Sequence, residues 1–382
     1  MANQKRILCA ILLSELLLPV AAARAVVPRQ NGLLTFSRLD PGDLSGQVAI
    51  AAAEENAEVS IVTSVGTLNG DSAWSPDGAC VVFYSNRDGG DAELYAMSAS
   101  GDDQTRLTVY PAFDYWGVFS PDGTRLVFVS DRDGEYELYL FDLANGATRQ
   151  LTKNDAIDFV PAWSPDGAKI AFSSNRDGDY EIYVMNADGT SPTRLTESPG
   201  MDIYPDWSPD NDRIAFATER SGAVGRDLWI MDVDGNNERS LVSLNGNQSE
   251  PAFSPDGTLI AFSSDTHIFL ASSTDGSGLV QVTNDDGVDD RGPDWQTVGG
   301  DIAAGLCPTV TPKICGDANA DGSIKASDAL AVLKKGVASP VVCPKIRCDT
   351  DDSGSIVASD ALRVLRVSVG QTVELDCPEV ES

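Results

Sequence analysis

Two short stretches near the C-terminal end carry oxygen-bearing side chains at intervals that suit a bound cation. In residues 317–328, oxygen ligands fall at loop positions 1, 3, 5 and 12, and a backbone carbonyl is offered at position 7. Gly322, at position 6, allows the sharp turn that such a loop needs. This spacing predicts a calcium site. Its predicted ligands are Asp317, Asn319, Asp321, Ser323 and Asp328.

The pattern recurs 32 residues later, in residues 349–360. Serine replaces a carboxylate at the fifth position, so we expect weaker calcium binding there. The predicted ligands of this second loop are Asp349, Asp351, Ser353, Ser355 and Asp360. Each loop runs into a short segment with leucines on one face, which predicts two short helices that pack on each other. The sequence therefore predicts a small α-helical module with two calcium ions as cofactors.

The chain as a whole is strongly acidic and has one imidazole. Its 382 residues include 27 Lys and Arg against 58 Asp and Glu, for a formal net charge of −31. Such a charge repels phosphate backbones, so nucleic acid is excluded as a partner. The single histidine, His267, excludes a two-histidine metal site within one chain and disfavours a histidine-based catalytic triad.

A short motif divides the middle of the chain into units. An aromatic residue followed by Ser-Pro-Asp-Gly, or once by Ser-Pro-Asp-Asn, recurs every 44 to 46 residues, and a sixth aromatic follows after 42. Within each unit, turn residues separate four short runs of alternating apolar and polar residues, which predicts four strands. Four strands in about 44 residues is the size of one β-propeller blade. The marker aromatics are Trp74, Phe119, Trp163, Trp207, Phe253 and Trp295.

Counting these units predicts six blades. Five units are complete, whereas the unit that begins at Trp295 has no continuation. We expect strands at 33–38 and 59–63 to complete it, which leaves no open sheet edge. Residues 45–56 fit the template poorly, so their register stays open. The predicted fold class is mainly β, a six-bladed β-propeller over 26–296 followed by the small α-helical calcium-binding module.

The remaining segments indicate export. Residues 1–25 predict a secretory signal, with a basic start, a short apolar run and small residues at the cleavage position. Residues 297–314 predict a linker, and residues 315–377 are expected to form the calcium-binding module. Cysteines gather in and beside this module, as is typical of disulfide staples in an oxidising compartment, whereas Cys80 in an apolar strand is predicted as a buried free thiol. We expect a secreted, periplasmic or cell-surface monomer with no membrane span.

A polar residue stands five positions before each marker aromatic, as Asn69, Asp114, Asp158, Asp202, Gln248 and Asp290. Because the connection into each innermost strand lines one end of the channel, we expect these side chains at a channel mouth. Acids beside aromatics suit a cationic group, a sugar ring or a peptide end. The alternative is that they hold their own loops. The candidate ligand-binding residues are Asp114, Tyr115, Trp116, Asp158, Phe159, Asp202, Tyr204 and Asp290.

Two resemblances follow from these motifs. The W-S-P-D-G repeat with its later R-D-G and R-L-T elements resembles the WD-like propeller repeats of TolB-type periplasmic proteins, over about residues 30–296. The paired loops resemble a type I dockerin over about residues 315–370, which implies a cohesin-like module or a cell-surface protein as partner. The pairs 326–327 and 358–359, which help to set the partner in that family, leave its type open. A calcium-stabilised stalk without a cohesin partner is the alternative.

Two functions are compatible with this organisation. The first is a secreted non-catalytic binding and scaffolding protein, in which the propeller recognises a protein, peptide or glycan. The second is an extracellular polysaccharide-degrading enzyme, a glycoside hydrolase or lyase with the propeller as catalytic domain, because dockerins often carry such domains. A glycosidase needs two carboxylates about 5–10 Å apart across a cleft. No blade departs from the repeat in an obviously catalytic way, which favours the binding protein.

Overall fold

The protein is a ring of six small β-sheets. The computed structural model describes residues 30–40, 45–64, 67–220 and 225–298. In these ranges the chain forms 24 strands in six four-stranded antiparallel sheets and no helix, which confirms the mainly β, six-bladed propeller. None of the described residues forms a helix that is long and apolar enough to cross a bilayer. The predicted signal, most of the linker and both calcium loops lie outside the described residues.

Each blade consists of four strands, with the innermost strand beside the channel. Blade 1 contains β1 (Gln30–Asp40), β2 (Ser45–Ala52), β3 (Val59–Ile61) and, innermost, β24 (Asp289–Val298). The next two blades, from inside outward, are β4 (Asn69–Trp74), β5 (Cys80–Ser85), β6 (Glu93–Ser98), β7 (Thr105–Arg106), then β8 (Asp114–Phe119), β9 (Arg125–Ser130), β10 (Glu137–Asp142), β11 (Thr148–Gln150).

The last three blades follow the same order. Blade 4 contains β12 (Asp158–Trp163), β13 (Lys169–Ser174), β14 (Glu181–Asn186) and β15 (Thr193–Arg194). Blade 5 contains β16 (Asp202–Trp207), β17 (Arg213–Thr218), β18 (Asp227–Asp232) and β19 (Arg239–Val242). Blade 6 contains β20 (Gln248–Phe253), β21 (Leu259–Ser264), β22 (His267–Ser272) and β23 (Val280–Gln281).

Blade 1 closes the ring from both ends of the propeller. β1 lies between β24 and β2, with Leu34 opposite Trp295 and Phe36 opposite Ala49. Residues 45–56, whose register could not be predicted from the sequence, therefore supply the third strand of this blade, β2. The ring is therefore continuous, and each blade packs its faces against the two neighbouring blades.

The core lies between the blades and repeats with them. The second strand of each blade contributes one phenylalanine with no exposed surface: Phe36, Phe83, Phe128, Phe172, Phe216 and Phe262. The marker aromatics are also buried, and Trp163 of blade 4 packs against Val127 and Leu140 of blade 3. The aromatic residue that marks each unit in the sequence thus packs between neighbouring blades.

Hydrogen bonds explain the motif's Ser-Pro-Asp-Gly residues. In blade 4, Ser164 Oγ donates to Asp166 Oδ1 at 2.6 Å and accepts from Lys169 N at 2.9 Å. Gly167 has φ +70°, which a glycine adopts without strain. These hydrogen bonds and the positive φ of the glycine therefore fix the tight turn between the first two strands of the blade.

The cysteine of the second blade differs from its prediction. Cys80 begins β5 and is 2% exposed, yet it is disulfide-bonded, so the prediction of a free thiol is wrong. The apolar alternation of a strand predicts burial correctly, but it carries no information about a second sulfur from a remote part of the chain.

Candidate binding site at the channel mouth

The six innermost strands share a bulge that turns one side chain into the channel. In β12, Phe159 is opposite Ser173 and Ala162 is opposite Ala171, so two residues oppose one. Val160, the third residue of β12, has a φ of +49°, which is unusual for a β-branched residue. Its equivalents have φ between 45° and 61°, and we call the set the third-position ring: Asp71, Trp116, Val160, Tyr204, Glu250 and Gly292.

The polar residues five positions before the marker aromatics form a second set, the first-position ring. All six have no exposed surface. In blade 4, Arg176 Nη2 donates to Asp158 Oδ2 at 2.7 Å across a separation of 18 residues. Equivalent ion pairs join Arg132 to Asp114, Arg220 to Asp202 and Arg38 to Asp290, and in blade 2 Arg87 donates to Asn69.

The arginine of each pair is itself held in place. Arg176 Nε donates to Ser174 Oγ at 2.9 Å, and its guanidinium carbon lies 5.2 Å from the ring centroid of Phe172 and 4.8 Å from that of Tyr183. A guanidinium stacked on aromatic rings and paired with a carboxylate is a rigid arrangement. The first-position acids therefore lie within the blades, as the loop-holding alternative expects.

A cavity of about 300 Å³ follows the axis of the propeller. The third-position ring lines one end, and prolines of the Ser-Pro-Asp turns line the other. Of the eight candidates predicted from sequence, Trp116 and Tyr204 line this cavity, whereas Asp114, Tyr115, Asp158, Phe159, Asp202 and Asp290 are not among its lining residues. The structure thus brings two of the four predicted aromatics to the cavity and places the predicted acids outside its lining.

Four other carboxylates do face the cavity, those of Asp71, Asp206, Glu250 and Asp294, and within the described chain no lysine or arginine lines it. Asp206 Oδ2 accepts from the backbone N–H of Phe253 at 2.7 Å, and this bond joins blades 5 and 6. Burial raises the pKa of Asp206 to about 7, and it raises the pKa of Asp294 to about 6.

A connected set of aromatic rings extends from Trp116 and Tyr204, the two members that line the cavity. Tyr115 lies at its centre, with ring centroids 4.8 Å from Tyr84, 5.8 Å from Phe113 and 6.0 Å from Trp116. Phe159 continues it, 5.7 Å from Trp116 and 5.0 Å from Tyr180. We call this surface the aromatic crescent, which consists of Tyr84, Phe113, Tyr115, Trp116, Tyr136, Phe159, Tyr180 and Tyr204.

The crescent occupies blades 2 to 5 and most of its rings are half-buried, so each keeps an accessible part. Burial raises the pKa of Tyr204 to about 12, with the charge of Glu250 acting in the same direction, and the Tyr204 hydroxyl therefore stays protonated at neutral pH. On the other side of the mouth stand polar groups, including Glu250 and the exposed Arg291, which pairs with Asp289 at 2.5 Å. The mouth is therefore aromatic on one side and charged on the other.

Comparison with known proteins identifies the repeat. The family model described as PD40, TolB beta propeller domain, matches residues 43–158, 116–199, 136–225 and 197–304. The chain belongs to the TolB beta propeller domain family.

Individual relatives cover parts of this TolB-type chain. It is 44% identical over 66 residues to the "Uncharacterized peptidase YuxL" of Bacillus subtilis, and 35% identical over 78 residues to a "Protein TolB homolog" of Chlorobium luteolum. These matches cover 17% and 20% of the chain, but only 10% and 17% of the two relatives. The crystal structure of TolB from Acinetobacter baumannii superposes with a TM-score of 0.60 at 22% identity, over 69% of this chain and 66% of that one, which shows the shared fold.

Two features of this TolB-type propeller were missed from sequence. The arginine partners of the first-position residues were not predicted, although in blades 2 to 5 their constant separation of 18 residues is a visible signal. The third-position ring gives no such signal, because its residues share no chemical type and their orientation follows from bulges in the paired strands.

Proposed function

We propose that the chain is an exported, non-catalytic binding protein whose TolB-type propeller contacts a protein partner through the aromatic crescent. The crescent carries the proposal, because eight linked rings, two of which line the channel mouth, form a partly accessible apolar surface. Aromatic side chains dominate the binding energy of protein interfaces and combine large contact area with few rotatable bonds. Phe113, which is 37% exposed, and the neighbouring Tyr110, 41% exposed, extend the surface outward.

Rigidity behind the crescent supports the same role. Tyr115 and Phe159 each follow a first-position acid, and those acids are fixed by Arg132 and Arg176. An interface held in place before binding loses less conformational entropy on association. TolB from Acinetobacter baumannii shares the propeller fold, and a chain segment is 35% identical to a TolB homolog, so the proposed role is placed on the propeller.

The second half of the proposal concerns the C-terminal residues 315–377. There the two calcium loops predicted from sequence, residues 317–328 and 349–360, would each bind one ion and fix the short helices that follow. A module of this kind would attach the protein to a cohesin-like module or to a cell-surface protein. The loops lie outside the described residues, so the proposal rests on their ligand spacing.

Export is supported by two further observations. Residues 1–25 have the composition of a secretory signal. Cys80 is disulfide-bonded, and structural disulfides persist in oxidising compartments such as the periplasm and the cell exterior.

A paired capture experiment tests both halves. The full chain is immobilised, and the host's secreted proteins are passed over it with and without calcium. The variant Phe113→Ser/Tyr115→Ser should lose the propeller partner and keep any calcium-dependent partner. The matched control Leu279→Ser changes an apolar residue of similar exposure, 44%, beside the outermost strand of blade 6 and should lose neither. Equal capture by the crescent variant and the control would contradict the proposal.

Calcium has its own test. EDTA should lower the melting temperature of the C-terminal module in the full chain, and Asp317→Ala combined with Asp349→Ala should abolish this effect, because each removes the first ligand of a loop. Calorimetry should find two ions per chain. Absence of calcium uptake by the full chain would overturn this part of the proposal.

The enzyme alternative makes a different prediction. Purified protein with calcium would release soluble sugars from polysaccharides if the propeller were a glycoside hydrolase or lyase. We expect no release, and turnover that Asp206→Asn abolishes would replace the binding role by the catalytic one.

A further inference from the structure

The third-position ring is chemically divided in a way that none of the repeat motifs requires. Around the channel its members run in the order Asp71, Trp116, Val160, Tyr204, Glu250 and Gly292, one from each blade. Two carboxylates therefore flank a glycine, and an apolar group of two aromatic rings and a valine completes the circle. All six residues line the cavity.

Gly292 leaves room between the two acids. A Cβ atom built at this position would meet no atom within 4 Å, so the space beside the glycine is open. The five other positions of the ring have side chains there. A ligand group could enter this space between the blade that carries Asp71 and the blade that carries Glu250.

The two acids have unused oxygen atoms. The carboxylate of Asp71 accepts no hydrogen bond from the described residues, whereas its backbone N–H donates to Ser37 Oγ at 2.8 Å. Glu250 uses Oε2 to accept from Ser263 Oγ at 2.7 Å and from the N–H of Gly292 at 2.9 Å. Its Oε1 accepts none within the described part of the chain.

No cation of the described chain neutralises this pair. Arg291 lies close enough to Glu250 for their charges to interact, but its guanidinium pairs with Asp289 at 2.5 Å. Asp71 retains contact with the channel, yet protein atoms surround it as densely as in the interior, and this burial together with the charge of Glu250 raises its pKa to about 8. Two acids that form no direct ion pair are costly unless a bound cation compensates them.

The surroundings favour an organic cation. Among the described residues, no group of three His, Cys, Asp or Glu side chains converges to hold a metal ion. Trp116 is next to Asp71 in the ring and Tyr204 is next to Glu250, and both aromatic side chains line the cavity, where they would contact the apolar part of a ligand and attract its charge. A cavity of about 300 Å³ is large enough for one extended side chain.

We propose that the third-position ring binds a lysine side chain of the partner, with its ammonium between Asp71 and Glu250 beside Gly292 and its methylene chain against Trp116 and Tyr204. This rests on the proposed function, since the partner that contacts the crescent supplies the lysine. The ammonium donates to the free oxygens of the two carboxylates, and its three donors suit the two acids better than a neutral group would.

The test uses small probes and the full chain. Calorimetry at pH 8 compares N-acetyl-lysine-N-methylamide with its uncharged counterpart N-acetyl-norleucine-N-methylamide. We expect only the lysine probe to bind. Asp71→Asn and Glu250→Gln should each weaken it about tenfold, the ratio that corresponds to about 1.4 kcal/mol, a typical value for one charge-assisted hydrogen bond. Gly292→Asn, which fills the gap with a residue that tolerates positive φ, should abolish binding.

Asp188→Asn is the matched control, because Asp188 lies in an exposed turn of blade 4 and should leave the probe's affinity unchanged. Equal binding of the lysine and norleucine probes, tighter binding of N-acetyl-arginine-N-methylamide, or unchanged affinity in both acid variants would each overturn the proposal. The probes need no protein partner, so their failure refutes the lysine site alone, whereas the crescent variant in the capture experiment tests the proposed function separately.

Discussion

The first-position and third-position rings lie two residues apart on the six innermost strands, and their acids, which come from different blades, have opposite surroundings. Asp158 has no exposed surface and is paired with a stacked arginine, whereas Asp71 faces the channel without a partner among the described residues. Glu250 likewise keeps one free oxygen toward the cavity. Acids paired with arginine are part of the blade structure, whereas the acids without an ion-pair partner line the cavity.

The largest effect is expected when a compensated acid loses its partner. Arg176→Met keeps most of the side-chain volume and leaves the buried carboxylate of Asp158 without its counter-ion, which should lower the free energy of unfolding by about 3–5 kcal/mol. Urea denaturation measures this loss. Adding Asp158→Asn should recover part of it, because the buried charge is then removed as well.

Arg149→Met is the control, since Arg149 is exposed and donates only to the carbonyl oxygen of Asp188, at 2.9 Å. Its effect should stay within about 0.5 kcal/mol. If Arg176→Met lowered the free energy of unfolding by no more than this, the ion pairs of the first-position acids would not stabilise the blades.

An intermediate effect is expected when an uncompensated acid loses its charge. The pKa of Asp71 rises from about 4 in the unfolded chain to about 8 in the folded one, so folding takes up a proton between these values. Its contribution to stability is therefore largest below pH 4 and is lost as pH rises to about 8. Asp71→Asn should leave stability nearly unchanged at pH 4 and raise it by roughly 2 kcal/mol at pH 9, less than the full linkage because a buried amide also lacks partners.

Thermal unfolding of wild type and variant across this pH range measures the difference. Asp188→Asn, in an exposed turn, should track the wild type at both ends of the range. A constant difference between Asp71→Asn and wild type would show that Asp71 has the same pKa in the folded and unfolded chains.

The smallest effect comes from a blade in which compensation is incomplete. Arg194 Nη2 donates to buried Glu181 at 2.6 Å in blade 4, but Gln150 stands at the equivalent position of blade 3 with its Nε2 unpaired. Burial raises the pKa of the corresponding acid, Glu137, to about 7. Gln150→Arg should lower that pKa and stabilise the fold by about 1 kcal/mol at pH 8.

Gln150→Met, which fills the same space without a charge, is the comparison for this change. Calorimetric unfolding at pH 8 and pH 5 should show the arginine's advantage mainly at the higher pH, where Glu137 is ionised. An equal gain from methionine would assign the effect to packing.

The propeller itself could be predicted from sequence because its signals are local. The Ser-Pro-Asp-Gly turn fixes where two strands meet, and its recurrence fixes the size of a blade, so strands such as Lys169–Ser174 begin where the pattern places them. Residues 45–52 were harder to place, because the run of small apolar residues after Gln47 lacks the turn motif that sets the register elsewhere.

The candidate site could be predicted only in part, because its decisive features depend on strand pairing. The pattern led to the right strands and to Trp116 and Tyr204, but it assigned the acids to the mouth. The bulge in each innermost strand decides whether a carboxylate there faces the channel or lies within a blade. The type of side chain does not reveal where this bulge lies, since a β-branched residue, Val160, occupies the position with positive φ in blade 4. The arginines that hold the first-position acids come from another strand.

Blade 1 has a consequence for the order of events during synthesis. Leu33 N donates to Gln296 Oε1 across 263 residues, so the earliest strand of the propeller cannot find its inner neighbour until the latest one has been made. A nascent chain can assemble blades 2 to 6 in sequence while β1 still exposes an unpaired edge. Closure of the ring is therefore a step of high contact order, and it can follow only after the last strand of the propeller has been synthesised.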